Sequence, residues 1–415
     1  MRAPSPGASR PALSAWRFVT VFGTVSLLAD FVYEGARSIT GPLLASFGAT
    51  GLVVGTVTGV GEAAALGLRL VSGPLADRTR RFWAWTIAGY VLTVLTVPLL
   101  GVAGTLWVAC ALVIAERVGK AVRSPAKDTL LSHATSATGR GRGFAVHEAL
   151  DQVGAVIGPL TVAAVLALTG GDYAPALGVL ALPGAATLAL LVWLRLRVPE
   201  PASYEPGAAR AHPTRGDAGR LPAVFWRYCG FVALTMIGFT TFGLVSFHLV
   251  NRGLLPAAAV PVLYAAAMVA DALAALASGW CYDRFGGKVL FALPILSAAV
   301  AVFAFAGNVP AVVAGALLWG AAVGIQESTL RAVVADLVAP GRRASAYGAF
   351  AAALGGAAAA GGALTGWLYD VSVHTLMASI VGIQLLALTV GGVSKVCSGD
   401  NRRKSSHRHQ TDISQ

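Results

Sequence analysis

The sequence predicts an all-α polytopic membrane protein, with twelve transmembrane helices in two six-helix bundles related by pseudo-two-fold symmetry. Three observations predict it. The 415 residues are 56% hydrophobic and only 12% charged, with a mean hydropathy of +0.70, whereas a soluble domain carries roughly 45–50% apolar and about 25% charged residues. Apolar stretches on the scale of a membrane span, about 20 residues, recur along the whole chain. The basic residues, finally, collect in alternate connections between those stretches.

In chain order the first six stretches are Phe18–Leu28, Gly51–Leu70, Trp83–Val102, Leu106–Ala115, Val153–Leu168 and Gly178–Leu194. The second six are Val232–Val250, Val260–Ala277, Val289–Ala306, Ala311–Val323, Ala344–Leu368 and Thr375–Val393. Several are short because polar residues interrupt the helix. The run after Arg17 continues into Asp30 and Glu34 with no small-residue cleavage site, so it reads as the first spanning helix rather than a signal peptide.

The formal charge of +12 invites a nucleic-acid reading, and its placement argues against one. One set of connections holds Arg78, Arg80 and Arg81, then Lys127, Arg140 and Arg142, then Arg195 and Arg197 through Arg220. It continues with Arg284 and Lys288, Arg342 and Arg343, and the Arg402–Arg408 tail; the alternate loops are nearly bare, apart from Arg252. This is the positive-inside pattern, which places both termini in the cytoplasm and the chain in the plasma (inner) membrane. The partners expected are the lipid bilayer and a small-molecule substrate, with no nucleic acid, and the working unit is read as a monomer. Cys110, Cys229, Cys281 and Cys397 stand singly, so neither a disulfide framework nor a metal site is expected.

The longest polar stretch inside the chain, 199–220, is rich in Pro, Gly, Ala and Arg and reads as a flexible cytoplasmic linker. It divides the chain into a tail (1–15), a first bundle (16–198), a second bundle (221–395) and a closing tail (396–415). The halves repeat one another. Gly73, Asp77 and Arg78 follow the second stretch as Gly279, Asp283 and Arg284 follow the eighth; Arg123 and Asp128 end the fourth as Arg331 and Asp336 end the tenth. Parallel repeats of six spans build transporters whose halves rock about a midplane site.

The run Gly73-Pro-Leu-Ala-Asp77-Arg78 resembles the loop motif of the major facilitator superfamily, with Thr79-Arg80 where that motif ordinarily has its next glycine; the second copy keeps it as Gly286. Gly154-Ala-Val-Ile-Gly158-Pro159 resembles the helix 5 motif of the superfamily's antiporter branch. Glu116-Arg117-Val-Gly119-Lys120-Ala-Val-Arg123-Ser-Pro125, with Asp30 and Glu34 one turn apart, resembles a bacterial subgroup with an (Asp/Glu)-Arg-x-Gly-Lys-x-x-Arg-x-Pro run in helix 4. The resemblance implies alternating access, with Gly73, Asp77, Arg78, Gly279, Asp283 and Arg284 as a cytoplasmic gate and Gly154, Gly158 and Pro159 as a helix-packing motif.

Ionisable residues inside spans are costly, about 2.5–3.5 kcal/mol on insertion scales, and must face protein or water. Asp30, Glu34 and Arg37 share one helix face, as do Glu116, Lys120 and Arg123. Asp30, Glu34, Glu62 and Asp151 are the candidates for carrying a coupling proton. Arg37, Glu116, Lys120, Tyr264, Asp271 and Glu327 are the candidates for the substrate cavity. Glu116 is expected beside Lys120, Glu62 beside Lys120 or Arg117, and His147 at the membrane interface. No Walker pattern, His-Glu-x-x-His or Gly-x-Ser-x-Gly occurs, so neither ATP, a cofactor nor catalysis is expected. The expected function is secondary transport of a small solute, proton-coupled and of the efflux type. The alternatives are a proton-coupled importer of an anionic metabolite and, in another class, a non-transporting membrane receptor or assembly factor.

Overall fold

The computed structural model describes residues 13–204, 221–338 and 342–393, and these are helical with no strand among them. Twelve spans follow in order: α1 Ala15–Ser46, α2 Gly51–Thr79, α3 Phe82–Gly101, α4 Leu106–Thr138, α5 Arg140–Leu168 and α6 Tyr173–Arg197. The second six are α7 Ala223–Asn251, α8 Val260–Phe285, α9 Ala292–Ala304, α10 Val309–Leu337, α11 Arg343–Val371 and α12 Val373–Val393. Length and apolarity alone select ten segments, one of which, Ala257–Ala304, holds both α8 and α9. The remaining span is α4, whose 33 residues reach about 50 Å. Its Glu116, Arg117, Lys120, Arg123, Lys127 and Asp128 make it too polar to be recognised by composition.

Side-chain caps start many of these helices. Ser14, Thr50, Thr105 and Asn308 each accept a hydrogen bond from a backbone N–H of the first turn of α1, α2, α4 and α10. Two spans are interrupted. α2 breaks after Gly67, and α7 consists of Ala223–Ile237 and Phe242–Asn251 separated at Gly238–Thr241. The expectation of one continuous stretch over Val232–Val250 is thereby corrected. Gly238 ends the first piece, and Thr241 caps the second by accepting from Leu244 N–H.

Glycines set the approach of the halves. On the face opposite the basic loops, Gly51, Gly55 and Gly59 of α2 lie against Ala358, Gly362 and Gly366 of α11, backbone to backbone. Gly41 of α1 likewise meets Gly243 and Phe247 of α7, where an added Cβ would stand 2.7 Å from the Phe247 nitrogen. Gly154 and Gly158 of α5 lie on the Leu27 and Phe31 carbonyls of α1, so the motif containing Pro159 is a helix-packing seam within the first half. The start of the expected linker is docked rather than free. Trp83 donates to the Pro199 carbonyl (3.1 Å) and Tyr204 to the Leu13 carbonyl (2.8 Å); residues 205–220 and both tails beyond 13 and 393 lie outside the described residues.

Candidate functional site

Two adjoining cavities occupy the middle of the molecule, between the closed face and the basic face. Their linings come from α1, α2, α4 and α5 of the first half and α7, α8, α10 and α11 of the second. The first cavity, about 180 Å³, has an apolar wall from the second half that includes Met236, Phe239, Trp319, Val323 and Phe350. The second, about 200 Å³, is polar and reaches the exposed Asp128, Glu148 and Arg331 toward the basic face. Arg37, Lys120, Glu327 and Arg331 line both.

A connected ion-pair cluster lies at the first-half wall. Arg37 pairs with Glu34 (3.7 Å) and, more closely, with Glu62 (2.8 Å); Glu62 also pairs with Arg117 (3.4 Å), and Arg117 with Glu116 (3.3 Å). Arg117 donates to the Tyr33 hydroxyl, and the Tyr33 ring carries the Arg117 guanidinium at 4.7 Å and the Lys120 ammonium at 4.1 Å. The cluster reaches the second half where the Tyr264 hydroxyl donates to Glu34 and where the Arg37 guanidinium lies 5.9 Å from the centre of the Trp319 ring. Glu34 is only 7% exposed, so its charge is balanced by these partners rather than by water.

The expected partnerships are in part rearranged. Glu62 pairs with Arg117, as one of its two expected partners, and also with Arg37. Glu116 does not meet Lys120: it pairs with Arg117, leaves one oxygen unpartnered, and lines neither cavity. The physical reason is that the Tyr33 ring face draws Lys120 away from the helix surface. His147, expected at the membrane interface, is buried within the protein at 4% exposure, 3.2 Å from both Ser26 Oγ and Lys127 Nζ, in a second cluster where Asp151 pairs with Lys127 at 3.8 Å. Asp30 lines the polar cavity with no hydrogen bond or ion pair among the described residues. Asp271 and Glu327 line it from the second half, and Tyr264 is fully buried.

The gate candidates lie at the basic face. Asp77, Arg78, Asp283 and Arg284 are exposed, and neither aspartate has an ion pair among the described residues. Gly73 faces Pro125 of α4, whereas Gly279 has open space around it. Arg80 ends α2 at φ 55°, ψ 17°, and Gly286 ends α8 at φ 64°, ψ −152°. Both copies turn at positive φ, but only the first uses the left-handed well that an L-residue tolerates; the second uses a region open essentially to glycine. That difference explains how one copy dispenses with its glycine and the other keeps it.

Sequence reasoning missed Tyr33, Trp319, Thr240 and Asp370. The signal for Thr240 was present as Gly238-Phe-Thr-Thr inside an apolar run. Asp370 carried none, because its role depends on a helix start in the other half.

The sequence matches the Major Facilitator Superfamily model over residues 26–306 and 254–410, across both halves. The chain belongs to the Major Facilitator Superfamily. As a member of it, the protein is a multi-pass membrane transporter of a small solute rather than an enzyme. It is 74% identical over 385 residues to an uncharacterized protein of Mycobacterium tuberculosis, Rv2265, covering 92% of this chain and 94% of that one. An uncharacterized MFS-type transporter of Methanocaldococcus jannaschii, MJ1317, is 29% identical over 140 residues, 34% of this chain and 35% of that one. Among solved structures, a point mutant of the nucleoside transporter NupG superposes with a TM-score of 0.73 at 15% identity, over 91% of this chain and 99% of that chain. A bacterial homolog of the human lysosomal transporter Spinster, inward-facing and unoccupied, gives 0.70 at 13% identity, over 94% and 98%. At such identities these superpositions speak for the superfamily fold alone.

Proposed function

We propose that this superfamily member is a proton-coupled efflux transporter of the plasma membrane, working by alternating access with its basic face in the cytoplasm. In that orientation the described state is closed to the outside, by the α2–α11 and α1–α7 seams, and its polar cavity extends toward the cytoplasm. The exposed Asp77–Arg78 and Asp283–Arg284 turns then act as latches that engage when the cytoplasmic side closes.

The observation that carries the reading is the position of Glu34. It is paired with Arg37 within its own half and bonded by Tyr264 from the other. A proton arriving on Glu34 discharges one of the two carboxylates paired with Arg37 and changes the acceptor of the hydrogen bond from Tyr264 across the halves. Protonation and rocking are thereby linked through differential contacts in the two states. Asp30, one turn away and lining the polar cavity with no hydrogen bond or ion pair among the described residues, provides the entry position. Glu62 is held by two arginines and Asp151 by Lys127, which makes both less suited to exchange. Export is favoured by the Gly154-x-x-x-Gly158-Pro159 run, similar to that of antiporters.

The test is flux in proteoliposomes driven by a pH gradient, with Asp30→Asn and Glu34→Gln proteins that still exchange substrate without a gradient. Loss of gradient-driven flux with exchange retained is expected. Accumulation against a gradient by both single variants and the double variant sinks the assignment. Import of an anionic metabolite is the second reading; the observation favouring it is that Lys120 has no carboxylate partner among the described residues.

A further inference from the structure

The break in α7 does not serve packing alone. Irregular backbone at membrane depth is tolerated where it is buried in protein or lines a cavity, and discontinuous helices mark substrate sites in transporters. Phe239, Thr240 and Thr241, three of the four residues of the break, line the half-apolar cavity. The ten-residue piece Phe242–Asn251 begins at that wall, so the positive end of its dipole faces the cavity.

Independent polar groups belong to the same lining. Thr240 and Gln326 both line the cavity, and the buried Thr240 hydroxyl and Gln326 amide nitrogen have no hydrogen-bond partner among the described residues. Thr240 Oγ1, Gln326 Nε2 and Lys120 Nζ all can donate, and none has an acceptor among the described residues. Charge points the same way. The lining holds three cations, Arg37, Lys120 and Arg331, against two carboxylates, Glu62 and Glu327, and Arg37 and Glu62 already satisfy each other at 2.8 Å. Lys120 is left with no carboxylate at ion-pair distance among the described residues. The lining also holds Phe239 and Trp319, whose rings are near-parallel (12°) with centroids 6.4 Å apart, the Trp319 ring held by its N–H on the Thr240 carbonyl at 3.0 Å and approached by the Arg37 guanidinium at 5.9 Å.

We propose that this cavity binds a small organic monoanion with an apolar, ring-bearing body, its acid group among Lys120, Gln326, Thr240 and the start of Phe242–Asn251, its ring against Phe239 and Trp319. A cation of the same shape meets the Lys120 ammonium. A neutral amide leaves Lys120 without its counter-charge. The assignment names the cargo class for the transport reading above and rests on that reading only for movement, since binding is measured separately.

The test is equilibrium dialysis of the purified full chain in nanodiscs against radiolabelled 3-phenylpropionate, its amide, 3-phenylpropylammonium and acetate. Saturable binding of the acid is expected, with the amide, the ammonium and acetate each weaker by about tenfold or more, as for loss of a charged hydrogen bond or of the ring contact. Lys120→Gln is expected to bring the acid-to-amide ratio to about 1–3, a change that a general loss of structure, weakening both ligands equally, does not produce. Where Lys120→Gln fails to fold, Gln326→Leu serves the same comparison. Tighter binding of the ammonium, an unchanged ratio, or no saturable binding of the acid overturns the proposal. Counterflow in proteoliposomes separates the two readings. Acid that binds but is never carried sinks the transport reading and keeps the site, and ammonium carried in place of the acid does the reverse.

Discussion

Asp370, at the end of α11 in the second half, accepts a hydrogen bond from the backbone N–H of Gly51, at the start of α2 in the first half, at 2.7 Å. Its other oxygen takes the Leu52 N–H at 2.8 Å. A carboxylate from one half thus caps a helix of the other, on the face where the glycine seam closes the molecule. Charge at a helix start contributes roughly 0.3–1 kcal/mol, and up to about 2 when partly buried. Asp370→Asn keeps the shape and removes the charge. It is expected to leave helix content unchanged and to raise the accessibility of this seam about two- to tenfold. Labelling of a cysteine placed at Val53 in each background reads this out; equal labelling rates refute it.

The bond between Tyr264 and Glu34 yields a second prediction. Tyr264→Phe removes this link and Glu34→Gln discharges its acceptor, so their effects on transport rate are expected to be non-additive. A double-mutant cycle should give a coupling of about 0.5–3 kcal/mol, as for other residues in one network. Simple addition of the two effects places the residues in separate roles.

At the basic face, Asp77 and Asp283 are exposed and unpaired among the described residues. Asp77→Asn and Asp283→Asn are expected to move thermal stability little, within about 0.5 kcal/mol as for surface substitutions, and to lower turnover more than apparent affinity. Normal turnover with weakened binding is the outcome that excludes the latch.

The two turn residues behave differently under substitution. Gly286→Ala is expected to destabilise the protein by about 1–3 kcal/mol, because φ 64° with ψ −152° excludes a Cβ. Arg80→Gly is expected to change stability by no more than about 1 kcal/mol, since relief of the left-handed strain is offset by glycine's greater freedom when unfolded. Thermal unfolding of both variants checks this.

Packing in the first half gives a last test. A Cβ at Gly158 runs into the Phe31 carbonyl of α1, while Gly178 has nothing within 4 Å. Gly158→Ala is therefore expected to cost about 1–3 kcal/mol and to reduce the yield of folded protein. Gly178→Ala should be tolerated, and size-exclusion profiles distinguish the two.

The sequence by itself determined the twelve spans, the two-by-six repeat and which ionisable residues had to face inward. Each follows from a local rule: lipid demands apolar length, and a buried charge demands a partner. Even α4, too polar over its whole length to be selected by composition, was legible through its apolar start, Leu106–Ala115. Partner choice was not legible. Tyr33 took Lys120 from Glu116, Arg37 reached Glu62 on another helix, and Asp370 found the start of α2 more than three hundred residues away. The break in α7 also needed the fold, because a Gly-Phe-Thr-Thr run costs an interrupted helix only where a cavity and the Trp319 N–H take up the exposed backbone. Periodicity fixes the face on which a side chain stands; which group it meets there depends on how the two bundles are docked, and only the tertiary structure decides that.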